Sequence, residues 1–188
     1  MEPVGIGDEK MKIPGFRRRI AWLAGLGVIS GLASTYAPET AEKFMILEVP
    51  LFQGLVFGLV IGFGLYRWGN ASRVSALLAL VVTIVAWIAA VRGFFWITDD
   101  GQTSLYLGAL VAGAIGAAGT ILGGALTHKR LRDPISWILT VGVGAIAGLL
   151  VVPEARSVEQ DFLLLFVVWQ AAVAACIGYA LTRQAPKN

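Results

Sequence analysis

Charge is scarce in this sequence, and so are the residues on which catalysis usually depends. Asp, Glu, Lys and Arg make up only 14% of its 188 residues, against about a quarter in soluble proteins. A single cysteine, Cys176, excludes an internal disulfide, and its place inside an apolar run reads as a small packing residue. The one histidine, His128, stands in the basic loop THKRLRDP with no companion ligand and reads as a solvated loop residue. No HExxH, CxxC, GxSxG or phosphate-binding loop occurs, and no carboxylate pair falls within an apolar segment. The reading is therefore a non-enzyme with no cofactor and no metal site.

Hydrocarbon, by contrast, is abundant. Hydrophobic residues are 57% of the chain and the mean hydropathy is +0.75. They fall into six blocks, at about 20–37, 50–66, 74–97, 104–126, 135–152 and 162–182. As a helix, each block can cross about 30 Å of lipid hydrocarbon. The short alternating strands of a membrane barrel are missing. The predicted fold class is all-α, a polytopic membrane protein of six transmembrane helices. Residues 1–19 form a basic cytoplasmic segment, 20–183 the membrane domain and 184–188 a cytoplasmic tail. Glu2, Asp8 and Glu9 precede KIPGFRRR, and no clear cleavage site follows, so the first apolar run reads as a retained helix.

The charges that are present orient the chain. Placing both termini in the cytoplasm puts Lys10, Lys12, Arg17, Arg18, Arg19, Arg67, Arg73, Lys129, Arg130, Arg132, Arg183 and Lys187 on that side. Of the 15 basic residues, this leaves only Lys43, Arg92 and Arg156 outside, a strong positive-inside bias. Trp22, Trp68 and Trp137 mark the inner interface, and Tyr36, Trp96 and Tyr106 the outer one. The net charge of +3 gives no nucleic-acid surface, because the basic residues are scattered among membrane-flanking segments. Compact loops favour a bacterial inner (plasma) membrane.

Two stretches resemble each other: FQGLVFGLVIGFGLYR from Phe52 and WQAAVAACIGYALTR from Trp169. The helices before them pair Trp22 with Trp137 and Gly27 with Gly142, and each is followed by Pro-Glu, at Pro38 and Pro153. This suggests three helical hairpins repeated about an axis normal to the membrane, the middle one fitting less well. In lipid, helices associate by close backbone approach rather than by the hydrophobic effect. Gly54, Gly58 and Gly62 form one small-residue stripe, Gly108 with Gly116 another, and Gly144 with Gly148 a further pair. The third helix, rich in Val, Ile, Trp and Phe, reads as facing lipid or a partner subunit.

Few polar groups remain at membrane depth. Hydroxyls such as those of Thr83, Thr120 and Thr140 can bond back to their own helix. Gln53 and Gln170 are more informative, because hydrocarbon can satisfy neither amide. With Arg92 they are the candidate substrate-binding residues of an outward-facing polar pocket, in which Arg92 would pair with an anionic group. The function this points to is a small-solute transporter, channel or substrate-binding transport module. The alternative is an accessory subunit or assembly factor that binds another membrane protein through its lipid-facing helices.

Overall fold

The computed structural model describes residues 14–36, 45–46, 49–99, 103–156 and 162–183. Of these, 88% are helical, as expected where backbone amides have no water to bond and must pair within their own segment. The helices are α1 (Pro14–Thr35), α2 (Phe52–Trp68), α3 (Arg73–Thr98), α4 (Thr103–Thr127), α5 (Pro134–Gly148), α6 (Val151–Ala155) and α7 (Leu163–Thr182). A 3-10 turn, Lys129–Arg132, joins α4 to α5. Ahead of α2, β1 (Met45–Ile46) and β2 (Val49–Pro50) pair antiparallel. The rest of the connection from α1 to α2, including Pro38, Glu39 and Lys43, lies outside the described residues, as do the segment 1–13, Asp100 and the tail 184–188.

Local chemistry sets the helix ends. After α2, Asn70 takes the left-handed conformation with φ 55°, which lets the Ala71 N–H reach back to the Leu65 carbonyl at 3.1 Å. Ser72 then caps α3 by accepting from the Ser75 N–H, and Asp133 caps α5 by accepting from the Ser136 N–H. The block at 135–152 does not form one uninterrupted helix. Pro153 offers no N–H to the Leu149 carbonyl, and Leu149, Leu150 and Val152 make tighter bonds to the third residue back. The result is a turn that separates α5 from α6.

Among the described residues four helical stretches are long and apolar enough to cross a membrane: Arg73–Thr98, Leu105–Thr127, Pro134–Ala155, which joins α5 and α6 through their turn, and Leu163–Thr182. The first two blocks are more marginal. At 17 residues, α2 extends about 26 Å, and α1 begins with Arg17, Arg18 and Arg19 before its apolar stretch.

The long helices form a ring in which α1 packs on α2, α2 on α3, α3 on α4, α4 on α5, α5 on α7 and α7 back on α1. Phe57, Ile61 and Leu65 of α2 meet Ile121 of α4 and Val173, Ile177 and Leu181 of α7 at the centre, with Leu23 of α1 and Leu131. The outside is as greasy as the core. Trp96 is 83% exposed, Val74 76% and Ile138 71%, far more apolar surface than a soluble fold leaves bare.

Glycines fix how closely the helices approach. A Cβ on Gly54, Gly58 or Gly62 would lie 3.0 Å or less from Trp87, the Leu80 carbonyl or the Ala76 carbonyl of α3. At Gly108 it would meet Thr98, and at Gly116 Trp169. Between α4 and α5, Gly113 faces both Gly144 and Gly148, and Gly144 also abuts the Ala117 methyl. On α1, a Cβ on Gly27 or Gly31 would run into the α7 backbone at Ala171 or Val167.

Candidate functional site

Gln53 lies in the first turn of α2 and Gln170 two turns inside α7, which begins at Leu163 and not at the Trp169 of the repeated motif. Both line one buried cavity of about 10 Å³, together with Gly54, Phe57, Thr83, Trp87, Gly116, Thr120 and Trp169. Small residues create the space for its walls. Gly54 admits the Trp87 side chain from α3 and Gly116 the Trp169 indole from α7. Each indole is then anchored: Trp87 Nε1 donates to the Pro50 carbonyl at 2.8 Å and Trp169 Nε1 to the Gly144 carbonyl at 3.0 Å. Phe57 packs edge-on against Trp169, with ring centres 5.4 Å apart.

Among the described residues, the hydroxyl and indole protons of this cavity are already used, and two amide oxygens are left open. Thr83 donates its hydroxyl proton to the Ala79 carbonyl at 2.8 Å, and Thr120 its own to the Gly116 carbonyl at 2.7 Å. Their oxygens keep only lone pairs. Gln170, 2% exposed, donates from Nε2 to Ser34 Oγ of α1 at 3.0 Å. The remaining amide oxygen, Gln170 Oε1, is buried without a hydrogen-bond partner, and so is Gln53 Oε1. Two orphan acceptors around one cavity are costly, since an unsatisfied buried group loses about 1–3 kcal/mol. The volume matches roughly one water molecule, so an organic solute of several heavy atoms does not fit it in this conformation.

Arg92 does not join the glutamines. It is exposed, and with Gly93, Phe95, Trp96 and Asp99 it lines a separate open recess of about 540 Å³. The residues that complete the glutamine cavity are Thr83, Thr120, Trp87 and Trp169. Their sequence signal is spacing: Thr83 with Trp87 and Gly116 with Thr120 each lie one helical turn apart, and Trp169 adjoins Gln170.

At the opposite end of the bundle the basic loop ties helix ends together. Arg130 donates to the Leu181 carbonyl of α7 at 2.8 Å, Arg132 to the Ala125 carbonyl of α4 at 2.9 Å, and Arg183 pairs with Asp133 at 3.2 Å. Cations here satisfy carbonyls that a helix C-terminus leaves open. His128 is not the solvated residue expected from its loop. It is half-buried, its Nδ1 accepts the Arg130 N–H at 3.3 Å, and burial holds its pKa below the ordinary value, against a hydrogen bond with the Gly69 backbone and with further lowering by Arg130.

Glu154, which follows Pro153, is tied into the fold. It is 7% exposed, and its carboxylate accepts the N–H groups of Leu164 and Leu165 at the start of α7. Among the described residues no group of three His, Cys, Asp or Glu could hold a metal ion. Comparison of the chain with protein families, with curated proteins and with solved structures finds no match.

Proposed function

We propose that this chain is a six-span membrane protein of the inner (plasma) membrane, with both termini cytoplasmic, that binds or conducts a small polar solute at Gln53 and Gln170. One observation carries this reading: two glutamines whose amide oxygens are buried without partners line the same cavity, in a bundle where every such group is expensive. Support for the orientation comes from the clustering of Arg67, Arg73, Lys129, Arg130, Arg132 and Arg183 in and beside the turns at one end. Counting α1 and α2 as spans is reasonable, because a short apolar helix is accommodated by thinning of the bilayer or by snorkelling of flanking basic residues. The chain performs no catalysis in this reading. The hairpin repeat is retained for the first and third hairpins on the likeness of their sequences. Arg92 and Asp99, at the open outer recess, are proposed to meet solute before it reaches the glutamines.

Stopped-flow light scattering on liposomes containing only this chain tests the reading, with water, ammonium chloride, urea and glycerol as probes. Permeation of one probe above that of empty liposomes, abolished by Gln53→Leu with Gln170→Leu at unchanged folded yield, supports it. Traces matching empty liposomes for every probe reject it.

An accessory subunit is the second reading, favoured by the exposed face of α3, where Phe95 and Trp96 stand out beyond the bundle. In that case a larger membrane protein copurifies in fixed ratio after mild detergent extraction, and liposomes of this chain alone show no flux.

A further inference from the structure

We infer that the cavity between Gln53 and Gln170 is a binding site for one water-sized molecule that donates at least two hydrogen bonds, either water itself or ammonium. This rests on the reading of the glutamine pair given above, but it concerns occupancy and not passage across the membrane.

The lining dictates the chemistry of the occupant. Gln53 Oε1 and Gln170 Oε1 are buried without donors. The hydroxyl protons of Thr83 and Thr120 are committed to carbonyls one turn back, and the indole protons of Trp87 and Trp169 to Pro50 and Gly144. One N–H of the Gln170 amide goes to Ser34. A molecule entering this space therefore meets two unpartnered acceptors, while the hydroxyl and indole protons are already used and the donors left to it are amide N–H groups of the glutamines. A molecule that only accepts leaves both orphan oxygens unpaired, whereas an O–H or N–H donor supplies what they lack. At about 10 Å³, the space admits a single molecule of water size.

Water and ammonium share this chemistry but differ in what the walls offer them. Ammonium brings no lone pair that would need a donor, and Trp87, Trp169 and Phe57 provide aromatic rings that attract a cation. Among the described residues no carboxylate lines the cavity, so there the cation's desolvation is offset by neutral oxygens and rings. Water carries no such penalty.

The experiment pairs structure with unfolding. Crystals of the full chain grown in potassium chloride and in ammonium chloride, at a resolution that shows ordered water, are compared with melting curves in the same two salts. Gln53→Met and Gln170→Met, close in shape but without the amide oxygen, accompany the wild type. One density peak between the amides, with equal melting points in both salts, identifies water. A higher melting point in ammonium chloride than in potassium chloride, lost in both Met variants, identifies ammonium. An empty cavity with identical melting in the two salts overturns the inference, and so does a peak that persists unchanged in both Met variants. Liposomes without flux leave it standing if the peak is present, so failure of the transport reading and failure of this one are told apart.

Discussion

The carboxylate of Glu154 holds the start of α7 from a different helix, with Oε2 3.0 Å from the backbone nitrogen of Leu165 and Oε1 2.5 Å from that of Leu164. The residue in the normal capping place, Phe162, is left-handed with φ 53° and gives no side-chain cap. Glu154 therefore satisfies N–H groups that a helix start leaves open, and sets a negative charge at the positive end of the helix dipole. Glu154→Ala is expected to destabilise the protein by about 1–2 kcal/mol, and Glu154→Gln by less, because its amide oxygen still accepts one bond. Thermal unfolding in detergent checks this; an alanine variant as stable as wild type would show that the cap contributes nothing.

Two glycines on α5 should respond oppositely to the same change. Gly144 packs against the Ala117 methyl and the Gly113 carbonyl, whereas a Cβ on Gly142 would meet nothing within 4 Å. Gly144→Ala forces α4 and α5 apart and should cost about 1–3 kcal/mol. Gly142→Ala gains helix propensity and should be neutral or stabilising by up to about 1 kcal/mol. Unfolding midpoints that fall equally in the two variants would contradict this account of the α4 to α5 contact.

His128 couples stability at the basic end to pH. Burial lowers its pKa from the ordinary 6.5, so the unfolded chain takes up the proton first as pH falls. Its contribution is full above about 6.5 and is lost as pH drops through the lowered folded value. Protonation also removes the Nδ1 lone pair that accepts the Arg130 N–H. His128→Asn keeps an acceptor but cannot titrate, and should show a shallower loss of stability between about pH 7 and pH 5. Melting curves across that range decide it, and equal slopes would remove His128 from the explanation.

The sequence made much of this legible because lipid leaves few options. Uncharged runs of about 20 residues must be helices, and α3, α4 and α7 begin and end within a residue or so of the predicted blocks. The likeness of Phe52-Gln53 to Trp169-Gln170 drew attention to two residues that do share a cavity. What could not be read was the neighbourhood across helices. Nothing local says that Trp87 and Trp169 wall that cavity, that Arg92 lies apart from it, or that Glu154 reaches Leu164 from α6. Such contacts depend on how α1 to α7 close into a ring, and hydrophobic runs with similar glycine spacing permit several closures. The surroundings of His128 are illegible for the same reason: its hydrogen bond is with the backbone of Gly69, on another turn of the chain.

Everything proposed here requires the two ends of the bundle to face opposite sides of a membrane, and single cysteines read that directly. In a Cys176→Ala background, one cysteine replaces Asn70, in the turn between α2 and α3, and another replaces Pro153, beside the cap of α7. A membrane-impermeant maleimide is applied to intact cells and to inverted membrane vesicles. Position 153 should label only in intact cells and position 70 only in inverted vesicles; labelling of both positions from the same side would contradict the arrangement.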